Sequence, residues 1–254
     1  MTTNGTGELA GQVVLVTGGV RRIGRAIAVA LARKGAAVVV NARTSRDEAE
    51  DAVREIAAFG GTARAMLADV TDEAAVAAMV AAIGRDLGGV DILVNNAADR
   101  REAAFTEMTF ADWRAIIAVV LDGAFLCSRA VIPGMVAKGH GTIVNIGGVT
   151  AHVGATRRAH VLAAKAGLVG LTKALAVEYG EAGLTVNCVV PGRIGGRRSA
   201  TSGRGGAIPG GGHPLVGREG TPEDVAGAVM LLCGPGGRYI TGQTIHVSGG
   251  IYLP

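Results

Sequence analysis

The stretch from Val13 to Ala28, VVLVTGGVRRIGRAIA, constrains the fold of this chain more than any other. Its first residues, Val13, Val14, Leu15 and Val16, read as a buried parallel strand. Thr17-Gly18-Gly19 breaks that strand, and from Ile23 onward the apolar spacing becomes helical. Strand, glycine turn and helix in that order leave backbone that a bound group can approach closely. The free N–H groups of the helix's first turn, with the positive end of its dipole, then favour an anion there. The same arrangement occurs in αβ proteins with nothing bound, so the rest of the chain has to decide.

A second apolar strand, Ala36 to Val40, completes a βαβ unit about 30 residues long. In units that select NAD, this strand tends to end in an acid for the ribose 2′-OH. Here it runs into Asn41-Ala42-Arg43-Thr44-Ser45, with no carboxylate. Arg43, together with Arg21 and Arg22 of the glycine turn and the hydroxyl of Ser45, suits a 2′-phosphate, because guanidinium pairs with phosphate in charge-assisted forks. The expected cofactor is NADP(H), with NAD(H) as the alternative.

At 254 residues and 49% hydrophobic content, the chain can bury one large core, and a single domain over 1–254 is expected. Cys127, Cys188 and Cys233 are far apart and lack partners at metal-ligand spacing, so they read as core thiols of a reducing compartment. The first twelve residues, MTTNGTGELAGQ, have neither a basic nor an apolar leader region, and a soluble cytoplasmic protein without membrane contact is expected. The net charge of +4 permits nucleic-acid binding, but the arginines are scattered apart from Arg193, Arg197, Arg198 and Arg204. With 3% aromatic residues there is little to stack bases on, so nucleic acid is set aside.

Further along, a polar helix from Arg46 to Phe59 and a strand from Thr62 to Ala68 are expected. A helix from Asp72 to Leu87 follows, stopped by Gly88-Gly89, and then a strand over Asp91–Val94. A long helix through Trp113 and Phe125 to Ala137, a strand from Thr142 to Ile146, a helix from His160 to Tyr179 and a strand from Leu184 to Val190 come next. Thr221-Pro222-Glu223-Asp224 opens a last helix reaching about Cys233. Strands alternating with helices predict an α/β, Rossmann-type doubly wound parallel sheet of about seven strands with helices on both faces, whose ligands sit at the carboxyl ends of the strands.

These residues resemble the short-chain dehydrogenase/reductase family from about Gly11 to Tyr252. The resemblance is carried by TGGVRRIG at Thr17 to Gly24, DVTD at Asp69 to Asp72, NNAA at Asn95 to Ala98, the helix around Lys165, NCVVPGRI at Asn187 to Ile194 and YITGQTIHVSGG at Tyr239 to Gly250. Where the family's glycine motif usually has glycine this chain has Arg22, as in its pteridine-reductase-like branch, which favours NADPH. The resemblance implies that Thr17, Gly18, Ile23 and Gly24 form the cofactor turn. It also implies that Asp69 and Val70 contact the adenine, Asn95 and Ala97 the ribose and strand end, Lys165 the nicotinamide ribose, and Pro191, Gly192 and Ile194 the carboxamide. Residues 195–220, rich in glycine and arginine, become a substrate lid suited to a small, polar or acidic ligand, and a homotetramer is implied.

Reducing a carbonyl by hydride transfer leaves an oxygen that needs a proton and a hydrogen-bond donor. The family supplies a serine after the fifth strand, a tyrosine thirteen residues later, a lysine four after that, and an asparagine on the preceding long helix. Alignment on Lys165 puts Val161 at the tyrosine position, Gly148 at the serine position and Val120 at the asparagine position, and no tyrosine precedes Tyr179. His152, four residues past Gly148, and His213, in the lid, are the candidate substitute acids. His160 neighbours the tyrosine position but points about 100° away on a helix. Lys165 clamps a ribose without any tyrosine, so it supports cofactor binding first. Two readings follow: an NADP(H)-dependent oxidoreductase with a non-standard acid, or a cofactor-binding protein without turnover.

Overall fold

The computed structural model describes residues 7–196 and 206–254. Seven strands form one parallel sheet: β1 (Val13–Val16), β2 (Ala37–Ala42), β3 (Thr62–Leu67), β4 (Ile92–Asn95), β5 (Gly141–Ile146), β6 (Leu184–Pro191) and β7 (Thr244–Val247). Their order is β3-β2-β1-β4-β5-β6-β7, and every pairing is parallel. The doubly wound sheet read from the sequence is therefore the fold. Strand order reverses between β1 and β4, and at such a switch point the connecting loops diverge and open a crevice beyond the carboxyl ends.

The period-two alternation of β1 divides two cores. Val14 and Val16 join Val38 and Val40 beneath α1 (Arg22–Arg33), α2 (Arg46–Ala57) and α8 (Pro222–Cys233), which contribute Ile27, Leu31, Ile56 and Val229. Val13 and Leu15 face the other way, with Val39, Leu93, Ile143 and Val186, against Ile83 of α3 (Glu73–Leu87) and Met135 of α5 (Gly123–Lys138). Burying each such aliphatic side chain contributes about 1.5–3 kcal/mol relative to leaving it in water. With both faces of the sheet covered, the strands read as continuous apolar runs.

Local chemistry sets the helix ends. The Asp72 carboxylate accepts from the N–H groups of Ala74 and Ala75, and Gly88 ends α3 in the left-handed region at φ 85°. Thr221 and Asp224 form a reciprocal capping box at the start of α8, with Pro222 at its first position.

The long helix expected through Trp113 and Phe125 is interrupted. It comprises α4 (Phe110–Ile117), a π turn over Ala118–Asp122 and α5, and the Gly123 N–H donates to the Ala118 carbonyl five residues back. The run IIAVVL is apolar at every position, so its pattern does not distinguish a 3.6-residue spacing from the wider one. The continuous stretch Phe110–Lys138 and α7 (Ala159–Tyr179) each contain an 18-residue window apolar enough to cross a membrane, with mean hydropathies of 2.1 and 1.4. In this fold they flank the sheet, and their buried residues pack on it and on each other.

Candidate active site

A cleft of about 840 Å³ opens at the carboxyl ends of the strands, beside the β1/β4 switch point. Its outer end is built by the glycine turn and the end of β2. The Thr17 hydroxyl donates to the Val94 carbonyl at 3.3 Å and accepts from the N–H groups of Asn96 at 3.0 Å and Ala97 at 3.1 Å. The Asn96 amide donates back to the carbonyls of Thr17 and Gly18. This clasp explains two of the glycines. Gly18 sits at φ +59°, and a Cβ on Gly24 would fall 2.5 Å from both Asn96 Nδ2 and the Gly18 carbonyl oxygen. The turn is thus pressed against the end of β4, leaving the first turn of α1 facing the cleft.

That helix start carries no side-chain cap and no acid in its first turn. Its N–H groups therefore remain for an anion, in contrast with the capped starts of α3 and α8. Beyond β2, Arg43 is exposed, lines the cleft and makes no ion pair among the described residues; Ser45, also in the wall, is the N-cap of α2 without a side-chain cap bond. The two neighbouring arginines line the cleft as well and are engaged within the chain. Arg21 is ion-paired to Glu48. Arg22, at φ +48°, also lines the cleft and donates to the carbonyls of Ile194 (3.0 Å), Gly195 (3.1 Å) and Gly196 (2.9 Å), so it ties the turn to the loop after β6. Ile23, Gly24 and Ala97 line the cleft as expected.

Asp69, Val70 and Asn95 do not line it. The Asp69 carboxylate folds back onto the N–H and hydroxyl of Thr71, and Val70 packs against Gly123 at the start of α5. The Asn95 amide joins a buried chain, donating to Ser128 at 3.2 Å and to Asn145 at 2.9 Å, while Asn145 donates to Thr172 at 2.9 Å. This chain holds β4, β5, α5 and α7 in register beneath the cleft floor. Asp99, in the loop after β4, pairs with Arg101.

At the inner end, Lys165 rises from the second turn of α7, 6% exposed, and its ammonium donates to the Ile146 carbonyl at the end of β5. Burial, with the nearby Arg100 and Arg158 adding to it against the opposing effect of Cys188, lowers its pKa from 10.5 to about 8. Gly148, Val161, Pro191, Gly192 and Ile194 line this end too, so Val161 stands one helical turn before Lys165 on the cleft side. Val120 does not reach the cleft. It is buried in the π turn, in an apolar cluster with Ile116, Val161 and Leu168.

Neither candidate acid is in the wall. His152, in the short helix α6 (Thr150–Val153), packs its ring 4.5 Å from His246 of β7 and 5.3 Å from Tyr252, a separate aromatic cluster whose burial lowers the pKa of both histidines. His213 is exposed and outside the lining. His160 is buried beside Val161 and does not line the cleft. Arg100 and Thr150, which no sequence motif singles out, also form the wall, as does Arg158. Arg197, Arg198 and Arg204 lie outside the described residues, as does 197–205 of the expected lid.

The resemblance is matched by comparison with known proteins. Residues 18–252 fit the family model described as enoyl-(acyl carrier protein) reductase. The 3-oxoacyl-(acyl-carrier-protein) reductase FabG of Vibrio cholerae is 39% identical over 255 residues, covering 97% of this chain and 99% of the relative. That of Escherichia coli is 39% identical over 246 residues, covering 96% and 98%. The 3-oxoacyl-(acyl-carrier-protein) reductase of Synechocystis is 40% identical over 251 residues, again covering 96% and 98%. The chain belongs to the short-chain dehydrogenase/reductase family of oxidoreductases.

Proposed function

We propose that this chain binds NADP(H) in the cleft and acts as an oxidoreductase on a small carbonyl or alcohol substrate, using an acid other than the family's tyrosine. The carrying observation is the make-up of one continuous cleft. The glycine turn, the uncapped start of α1 and Arg43 form its outer end, and the Lys165 ammonium its inner end. These residues fit a phosphorylated dinucleotide: an uncapped helix start takes a phosphate, and a guanidinium beyond β2 takes a 2′-phosphate where a carboxylate would repel it. The names of the relatives support reduction of an oxo group.

In this reading the bound cofactor supplies or accepts the hydride. Lys165 orients the ribose and holds a proton at Nζ. Val161 and Gly148 offer neither phenol nor hydroxyl, and no tyrosine or histidine lines the cleft among the described residues. The oxygen of the reduced substrate therefore takes its proton from the Lys165 ammonium or from water admitted through the open inner end. Replacing a positioned acid in this way costs on the order of 10² to 10⁴ in rate. We take the chain as one domain, with Gly206 and Ile208 of the expected lid at the cleft wall. The apolar groove between α5 and α7, where Phe125 is 46% exposed, supports a homotetramer, and we take the location to be cytoplasmic.

NADPH oxidation over a panel of aldehydes and ketones tests the reading. Steady turnover well above the protein-free rate supports it. Tight NADPH binding with no turnover on any member favours the second reading, a cofactor-binding sensor or non-catalytic subunit, which the three replacements at Val120, Gly148 and Val161 motivate.

A further inference from the structure

The inner end offers a reacting oxygen few uncharged donors. Among the described residues lining the cleft, four uncharged side chains carry one: Thr44, Ser45, Asn96 and Thr150. Thr44 and Ser45 belong to the outer end beyond β2, and the Asn96 amide is engaged by the carbonyls of Thr17 and Gly18. Thr150 remains. It stands four residues beyond Ile146, whose carbonyl receives the Lys165 ammonium, and two beyond Gly148.

The segment from Ile146 to Thr150 is fixed by its backbone. Gly147 and Val149 donate their N–H groups to the carbonyls of Val189 at 2.8 Å and Pro191 at 2.9 Å, at the end of β6. The Thr150 carbonyl accepts from the Gly154 N–H at 2.9 Å, which closes α6, and His152 anchors that short helix against His246 and Tyr252. None of these bonds uses the Thr150 hydroxyl, which makes no hydrogen bond among the described residues. Two residues earlier, a Cβ on Gly148 would meet no atom within 4 Å, so this part of the wall has room for a small group. A half-buried hydroxyl held in place by its backbone and left free to donate is preorganised for an oxygen that gains charge.

We propose that Thr150 is a catalytic residue whose hydroxyl donates a hydrogen bond to the substrate oxygen during reduction. This rests on the oxidoreductase reading above and completes its inner end. As the substrate carbon accepts hydride from the reduced cofactor, the C=O π pair moves onto oxygen. That oxygen takes a hydrogen bond from Thr150 and a proton from Lys165 Nζ, so the carbonyl is reduced, the cofactor oxidised and Lys165 left as an amine that water reprotonates. Thr150 keeps its own proton, because an alkanol hydroxyl is too weak an acid to surrender it. It stabilises charge, and Lys165 moves the proton.

Two measurements test this. In steady-state reduction of a carbonyl that the wild type accepts, Thr150→Val should lower kcat about a hundredfold, the cost of one such donor. KM and NADPH affinity should stay within about twofold, since the bond strengthens only as the oxygen becomes charged. Thr150→Ser, which keeps the hydroxyl, should stay within about tenfold of wild type. Wild-type kcat in Thr150→Val overturns the proposal; if valine prevents folding, Thr150→Ala takes its place. The second measurement needs no turnover: the infrared C=O stretch of cyclohexanone bound to the NADP-saturated protein. It should lie at lower wavenumber in wild type and Thr150→Ser than in Thr150→Val. Coincident bands, or no bound band at all, overturn the proposal. If the wild type reduces no carbonyl of the panel, the oxidoreductase reading falls, and the infrared comparison judges Thr150 by itself.

Discussion

The two ends of the cleft are built on the same sheet but differ in what they retain. The outer end, from the Thr17 clasp to Arg43, is held by backbone geometry. The positive φ of Gly18, the close approach at Gly24 and the uncapped start of α1 all follow from the chain's own packing. The inner end depends on individual side chains, where Lys165 stands with Val161, Gly148, Arg100 and Arg158. Binding built from backbone survives wide sequence change, whereas proton transfer rests on single atoms and is lost or replaced one residue at a time.

The largest effect should come from rebuilding the inner end. Gly148 has open space where a Cβ would stand and no positive φ, so a serine fits there without strain. Gly148→Ser combined with Val161→Tyr is expected to raise NADPH-dependent reduction of an accepted carbonyl by about a hundredfold or more, read as kcat. No gain in a folded double variant would show that the inner end does not work through those positions. At the outer end, Arg43→Ala should weaken NADPH binding about tenfold to a hundredfold and leave NADH binding unchanged, since only the 2′-phosphate differs. An equal loss for both cofactors would remove Arg43 from that role.

Lys165 joins the two ends and gives a pH dependence. Its pKa of about 8 lies below the ordinary 10.5, so the unfolded chain holds this proton more firmly between those values. Its contribution to stability therefore rises with pH from about 8 to 10.5, while the ammonium facing the cofactor is lost as pH climbs through 8. NADPH affinity should fall severalfold between about pH 7 and pH 9, and Lys165→Met should bind more weakly with a flat profile. A profile unchanged by the substitution would place the titration elsewhere. The smallest effects are expected from His152→Ala and His213→Ala, whose turnover should stay within about twofold of wild type because neither ring lines the cleft.

Much of the outer end was legible in the sequence because it rests on patterns. A β-branched run, a glycine turn, a helical period and the lack of an acid after β2 each have one main structural meaning. The same patterns gave the strand count and placed the ligand site at the carboxyl ends of the strands. What escaped the sequence was where long side chains go. Arg22 carries the same charge as Arg43, but its positive φ turns it onto the carbonyls of 194–196, and no spacing rule shows that. His152 and Thr150 sit two residues apart in α6, yet Thr150 lines the cleft while the histidine stacks with His246 and Tyr252, a contact between residues about a hundred positions apart. The π turn at Val120 was hidden for a related reason, since a uniformly apolar run carries no period to read.

Calorimetric titration with NADPH and NADH tests the central claim most directly. The account predicts one site per chain that binds NADPH at least about tenfold more tightly than NADH, the margin one guanidinium–phosphate pair supplies. Absence of heat and of any protection by either dinucleotide would contradict it.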